Sequence, residues 1–555
     1  MTDSMHLFGS TEDTQTATSL WWRAAAVVIG AALWRALLSW WAPIFPDEAY
    51  YWLWTRRLEA GFFDHPPGIA LLIAAGTRLF GNGALGIRAG PATAALLVHV
   101  GMAVAAWRLA GGGLPGARAA WRVVVLVAVI PLSVLGLVIA TPDVLLLATV
   151  VVAYIALDRA LLAPLRSLRG LVWWTVCGVF LGASFVAKYT AVLLPLSVLL
   201  AFLLHPQLRP RFADLGPWWA SLIATAIFAP VVLWNYLHDW ISFRFQLGHG
   251  FGAIAPGNVF SRELELVGGQ LGLASPILFV LLGISILHAW LHGWRVRHDA
   301  SSDATRGAAS DAAADARQLS VTTRRFVLAS SATLPLLFFA ISAMRRSVEP
   351  NWPAVIYPPA LLLLATDPRP FAAGVWWRRG VGLAFVLALL ATLQVWKPVA
   401  PIAARRDPIA RAHGWARAAT VVDHAQRDPF LEGTVDRWIA AERYQEAAEL
   451  TFHLPGQPTV FSLNLNGRVN QFDLWETALD EIRPGDGLVA VFDDNPVGDS
   501  LALVVAQWFQ SHKKGESIVL ARDGDAYAHR RVWLYRIAVN VPPRRTTLPT
   551  LSAKR

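Results

Sequence analysis

Residues 45–54 read FPDEAYYWLW, in which Asp47 and Glu48 are adjacent carboxylates. They follow the apolar run LWRALLSWWAPIF and stand among Trp40, Trp41, Tyr50, Tyr51, Trp52 and Trp54. Paired carboxylates suit general-base work on a hydroxyl, or the binding of a hard divalent cation. Farther along, Asp64 and His65 precede Pro66 and Pro67; Asp143 stands alone in VIATPDVLLLA, and Lys188 and Tyr189 interrupt FVAKYTAVLL. WNYLHDWISFRFQLGHGFG carries His238 and His249, and SAMRRSVEPNWPAV carries Arg345 and Arg346. Guanidinium and ammonium groups suit phosphate. The interleaved rings suit sugar faces and prenyl chains. Asp64 and His65, with His238 or His249, form a candidate divalent-metal set, although no cofactor is required by the pattern.

An ionisable group at mid-bilayer costs about 2.5–3.5 kcal/mol on insertion scales, so the elements that carry these residues decide what they can do. The chain has 555 residues, is 55% hydrophobic and only 15% charged, and has a mean hydropathy of +0.45. A soluble domain is nearer 25% charged, so this is a polytopic helical membrane protein. The 26 tryptophans suit interfacial aromatic belts, which would hold the first loop at headgroup depth. The net charge of +10 is spread between apolar runs and forms no basic stripe, so a nucleic-acid partner is excluded. Cys177 is the single cysteine and lies in an apolar run, which rules out a disulfide framework. No Walker loop, HExxH or convincing GxGxxG occurs.

Apolar runs recur at 22–44, 84–107, 121–139, 144–163, 171–187, 189–204, 215–236, 271–293, 326–343, 353–366 and 380–396, giving about eleven spans. Residues 1–20 form an inner tail and 21–396 the membrane domain, with a first outer loop at 45–83 and an inner loop at about 294–325. That inner loop contains the Ala/Asp/Ser-rich stretch 298–317, read as a disordered linker. Arg and Lys gather on alternate loops, which places the N-terminus inside and the acidic loop outside. Pro66 and Pro67 forbid a helix through that point, and IALLIAAGTRLFG is too short to span, so an interfacial helix with Arg78 near its end is expected. Thr141 and Pro142 read as a cap and first turn, beside which Asp143 either complements the helix N-terminus or takes part in chemistry. Lys188 is either a snorkelling anchor or an anion ligand. Residues 397–555 regain charge: RYQEAAELTFHL reads as a helix, and TVFSLNL, GLVAVFDD, SIVLA and RVWLYRIAV as strands of an outer α/β domain.

An acidic pair in the first outer loop after one span resembles the GT-C membrane glycosyltransferases, and within them the family of protein O-mannosyltransferases and lipid A aminoarabinose transferases. DEAYYWLWTRRLEAGFFDHPPGIALL is similar to that family's first-loop signature. TPDVLLL, FVAKYTAVLLPL, EPNWPAVIYP, AERYQEAAELTFHLPG and NGRVNQFDLWE look like its bacterial branch. The resemblance implies the GT-C fold and transfer of a sugar from a polyprenyl-phosphate donor to a lipid, glycan or protein acceptor, with inversion. The site would face the periplasm of a bacterial inner membrane. It implies Asp47 as the catalytic carboxylate, Glu48 as its neighbour and Asp143 as the second-loop acid. Arg57, Arg78, Lys188 and Arg345 or Arg346 become candidates for the lipid phosphate, with Tyr189 beside them for substrate. His65 departs from the aminoarabinose branch, which has Lys after the acid.

A transporter or flippase of lipid-linked sugars is the competing reading. Against it, the polar residues cluster at one face and, Arg35 apart, are nearly absent at mid-membrane, where transporter sites lie.

Overall fold

The structure, a computed structural model, describes residues 11–252, 258–303, 320–427, 438–464, 468–475, 487–493 and 509–537. In chain order the α-helices are α1 (Thr11–Trp41), α2 (Pro46–Trp54), α3 (Gly68–Phe80), α4 (Ala84–Leu109), α5 (Gly113–Val129) and α6 (Pro131–Gly136). Then come α7 (Pro142–Leu162), α8 (Leu168–Ala187), α9 (Leu193–Leu204), α10 (Leu215–Leu237), α11 (Ile241–Phe251) and α12 (Val259–Ala274). The series continues with α13 (Pro276–Asp303), α14 (Val321–Ala343), α15 (Tyr357–Ala365), α16 (Val375–Trp396), α17 (Trp415–Gln426), α18 (Tyr444–His453) and α19 (Gln471–Leu474). Two compact units divide them: residues 1–41, 59–61 and 65–392, and residues 42–58, 62–64 and 393–555.

The first unit is the membrane bundle. Every expected run carries helix, but among the described residues eight helices are long and apolar enough to cross a membrane, or nine if the bent pair Tyr189–Leu204 and Pro206–Ala213 counts as one. Two features separate this count from the expected eleven. The run at 121–139 breaks at Pro131, whose ring cannot continue α5. Residues 353–366 make only a 3₁₀ turn and the short α15. Around the inner loop expected at 294–325, α13 continues as helix to Asp303 and α14 starts at Val321. Arg324 of α14 is buried and pairs with Asp158 at 2.5 Å; residues 304–319 lie outside the described set. The expected interfacial helix is α3, which starts after Pro67, and Arg78, Leu79 and Phe80 are exposed at its end. Thr141 is the N-cap of α7, but its side chain makes no capping bond. Arg35 is buried and donates to the carbonyls of Ala31 and Ser133, so its charge is held by backbone.

The second unit joins a piece of the first loop to the C-terminal residues, whereas the sequence suggested a cut near 397 with the whole loop in the membrane domain. Its sheet has the order β2–β1–β3–β5–β4, from β1 (Trp438–Ala441), β2 (Val460–Ser462), β3 (Gly487–Asp493), β4 (Phe509–Arg522) and β5 (Asp525–Ile537). β1 runs parallel to β2 and β3, and β5 pairs antiparallel with β3 and β4. All four expected strands and the expected helix are present; β1 was missed because WIAA is only four residues long. α17 and α18 pack on this sheet, and α2 packs on α18. At the entry to the unit, Asp407 accepts from Arg522 and Gln394, each at 2.8 Å, and both Asp407 and Arg522 are buried.

Within the bundle, Gly68 lets the start of α3 press against the end of α8. A Cβ there would lie 2.6 Å from the Val186 carbonyl oxygen and 2.9 Å from the Ala187 Cα, both backbone atoms. Gly68→Ala is therefore expected to cost about 1–3 kcal/mol and to lower the melting temperature in detergent; unchanged melting would show that the α3–α8 contact yields freely.

Candidate functional site

α2 begins where Pro46 supplies a preset φ at the first helical turn. Glu48 reaches back to accept the Phe45 N–H at 3.1 Å and is fully buried, so its carboxylate serves the helix start. Asp47, one residue earlier, is exposed, and the Gln445 amide donates to its Oδ1 at 3.3 Å. Desolvation by the surrounding protein raises its pKa, against the Gln445 hydrogen bond and the positive charges of Arg468 and Arg411.

The rest of α2 is buried from Glu48 to Trp54, with Tyr50, Trp52 and Trp54 at 2%, 1% and 0% exposure. These rings were expected at headgroup depth. They pack inside the second unit: Tyr50 against Tyr444 at 4.5 Å, Trp52 against Phe452 at 5.4 Å, and Trp54 stacked on Phe62 at 4.3 Å. Trp40, at 79% exposure, is the one of these tryptophans left on the outside of α1 as a belt residue would be.

The Tyr50 hydroxyl donates to Asp64 Oδ2 at 2.8 Å and accepts the Gln471 N–H at 2.8 Å. Arg468 reaches Asp64 Oδ1 at 3.4 Å and also donates to the Tyr444 hydroxyl, with its guanidinium over the Tyr444 ring. Burial pushes the Asp64 carboxyl up to about 6, although the Arg468 charge and the Tyr50 hydroxyl favour the anion. Burial and the neighbouring Asp64 also raise Tyr50 well above the usual phenol range, so it stays a donor. Arg468, Tyr444 and Gln445 were not among the expected site residues. Their signal lay in AERYQEAAELTFHLPG and NGRVNQFDLWE, where a cation and a phenol stand in two apolar-flanked segments.

In the membrane unit, Lys188 Nζ lies 2.7 Å from Asp143 Oδ1, and Asn351 donates to Asp143 Oδ2 at 2.9 Å. Both charged residues are 6% exposed. Lys188 is thus a buried partner of Asp143 and not a snorkelling anchor, and Asp143 is ion-paired as well as lying in the first turn of α7. The Tyr189 hydroxyl shares a 2.9 Å hydrogen bond with Ser242. Arg346 donates to the Gly248 carbonyl at 3.0 Å, while Arg345 is exposed. Arg262 holds this turn by donating to the carbonyls of Ala343 and Met344. Arg78 stands about 15 Å along α3 from Gly68, ten residues at helical rise. The histidines of the candidate metal set lie in the first unit. His238 stacks on Trp234 with Nδ1 2.8 Å from that residue's carbonyl oxygen, and no group of three His, Cys, Asp or Glu fit for a metal occurs among the described residues. His249 lies on α11, with its side chain outside the described set.

Three likenesses bear on this arrangement. Residues 64–234 match the family model described as dolichyl-phosphate-mannose-protein mannosyltransferase. Lipid A galacturonosyltransferase RgtD of Rhizobium johnstonii is 30% identical over 265 residues, covering 46% of this chain and 51% of that protein. The chain thus spans about half the length of the curated relative it matches. ArnT from Cupriavidus metallidurans, solved with undecaprenyl phosphate bound, superposes with a TM-score of 0.57 at 16% identity, covering 93% of this chain and 98% of that one. Its apo form gives 0.55 at 17% identity, covering 93% and 99%. The fold is therefore that of ArnT.

The Asp64 environment makes a signed prediction. Its folded pKa of about 6 lies above the ordinary 3.8, so the native state binds the extra proton and this group's contribution to stability falls as pH rises from about 4 through 6. Asp64→Asn cannot titrate. The difference in melting temperature should move in the variant's favour between pH 4 and pH 7.5; a difference that stays constant would mean that Asp64 titrates normally.

Proposed function

Taking the GT-C fold as premise, we propose that this protein transfers a sugar from a polyprenyl-phosphate-linked donor to a glycolipid at the periplasmic face of a bacterial inner membrane, with Asp47 as the catalytic carboxylate. The observation that carries this reading is the contrast among three acids of the first loop. Glu48 is buried and bound to its own helix start, and Asp64 is buried between Tyr50 and Arg468. Asp47 is exposed at the N-terminus of α2. An incoming hydroxyl meets that carboxylate and neither of the others.

The step balances as follows. The acceptor O–H gives its proton to the Asp47 carboxylate while its oxygen bonds to the anomeric carbon. The bond from that carbon to the donor phosphate oxygen breaks, its electron pair leaves with the polyprenyl phosphate, and the configuration inverts. In the membrane unit, Lys188 is the proposed ligand of the donor phosphate, because its ammonium has three donors and spends one on Asp143. Tyr189, Arg345 and Arg346 are proposed to bind substrate in the same unit. The undecaprenyl phosphate bound by ArnT supports a polyprenyl carrier, and RgtD supports a hexuronic acid as the sugar and a lipid A type of glycolipid as the acceptor.

The test is transfer of label from a polyprenyl-phosphate hexuronic acid to a glycolipid by purified protein, beside Asp47→Asn. Loss of a general base typically removes about 10²–10⁴-fold in rate, so turnover is expected to fall by that much while donor binding and melting temperature hold. Transfer by the variant at the wild-type rate would overturn the assignment. The pH profile gives a second reading. Desolvation raises the Asp47 pKa and only its anion accepts the proton, so kcat/KM should climb with pH along a limb set above the usual carboxylate range.

A further inference from the structure

Beyond Asp47, the second unit holds a cavity of about 100 Å³ lined by Leu53, Arg56, Arg57, Thr459, Val460, Phe461, Phe472 and Trp475. Its chemistry is mixed in a specific way. The Arg56 guanidinium lies 4.4 Å over the Trp52 ring and donates to the Gln457 carbonyl at 2.9 Å. The Arg57 guanidinium lies 5.7 Å from the Trp475 ring. Two adjacent guanidinium groups thus line one cavity beside aromatic rings, and a planar guanidinium suits phosphate or carboxylate. Trp475 Nε1 is shielded from water and has no acceptor among the described residues. An indole N–H only donates, so what completes it is an acceptor. The volume is several times that of one water, enough for a phosphate or a carboxylate.

We propose that this cavity binds an anionic substituent, phosphate or carboxylate, carried on a sugar of the acceptor. Distance decides between acceptor and donor. Asp47 and Trp54 are seven residues apart on α2, about 10 Å, and Arg57 lies beyond that helix end. The donor phosphate must stay bonded to an anomeric carbon about 3–3.5 Å from the attacking oxygen that Asp47 holds. A phosphate in the cavity is too far away to be the leaving group. An anion one or two sugar units along the acceptor fits. Arg57, a candidate for the lipid phosphate from sequence, is thereby reassigned. That the anion belongs to the acceptor rests on the transfer reading above; that the cavity binds a sugar-linked anion does not.

The experiment measures equilibrium binding of three probes to the full chain in detergent, in an Asp47→Asn background so that nothing turns over. The probes are a glycolipid with a sugar phosphate, the same glycolipid after phosphatase treatment, and one with a carboxylated sugar instead. Charge-assisted bonds of this kind correspond to a preference of about 10- to 100-fold for the charged probe over the neutral one. Arg57→Gln and, separately, Trp475→Phe should shrink that preference and leave neutral binding unchanged. The phosphate and carboxylate arms tell which anion is native. The proposal is overturned if the parent shows no preference for either charged probe, if the preference survives both variants, or if they weaken neutral binding equally. Should the protein with Asp47 intact transfer no sugar while the preference is present and falls in the variants, the cavity stands and the catalytic reading fails.

Discussion

The second unit is organised around one phenol. Tyr50 comes from a helix near the chain's start, yet its hydroxyl accepts a backbone N–H from Gln471 and donates to Asp64, and its ring meets Tyr444 and Phe472. A buried hydroxyl without partners would cost free energy, so its two hydrogen bonds fix where α2 sits relative to α18 and α19. Once Tyr50 is fixed, α2 has no freedom to turn. Asp47 then takes the open side of the first turn and Glu48 the buried side, because successive positions on a helix face about 100° apart. The exposure of one acid and the concealment of its neighbour are a single geometric fact.

Asp143 shows the same logic in the membrane unit. A carboxylate at the head of a buried helix needs compensation, and it receives an ammonium and an amide, on one oxygen each. Lys188 terminates α8, where the chain leaves helical geometry, so its side chain is placed by a helix end and not by a helix face. Rigid helix ends place a short side chain more precisely than a loop would.

Much of this was legible in the sequence. Hydropathy located the apolar runs, Pro66 and Pro67 located the start of α3, and the return of charge after residue 397 marked the α/β unit. The acidic pair and the lone Asp143 stood out because charges are rare in such composition. The rest was not legible, for reasons that differ. Hydropathy does not see that Pro131 divides a run, or that α13 continues past the apolar stretch as helix. Aromatic content cannot tell a ring on a helix surface from one inside a core: Trp40 is exposed, whereas Trp52 and Trp54 are buried. Arg468 and Tyr444 escaped because their partners lie some 400 residues away in the chain, and no local pattern encodes that separation.

That separation has a consequence in time. Residues 42–58 and 393–555 form one unit, so some 335 residues of bundle must be made between its parts. At about 5–20 residues per second, α2 leaves the ribosome roughly 20–70 seconds before the strands and helix that will cover it. During that interval its tyrosines and tryptophans have no core to enter, and the Asp47 carboxylate has no fixed direction. The unit closes only after the bundle has been made, by a long loop closure whose entropy cost slows its formation. The late C-terminal segment therefore acts as a clock: a chain whose synthesis stops early carries the acids but never aims them.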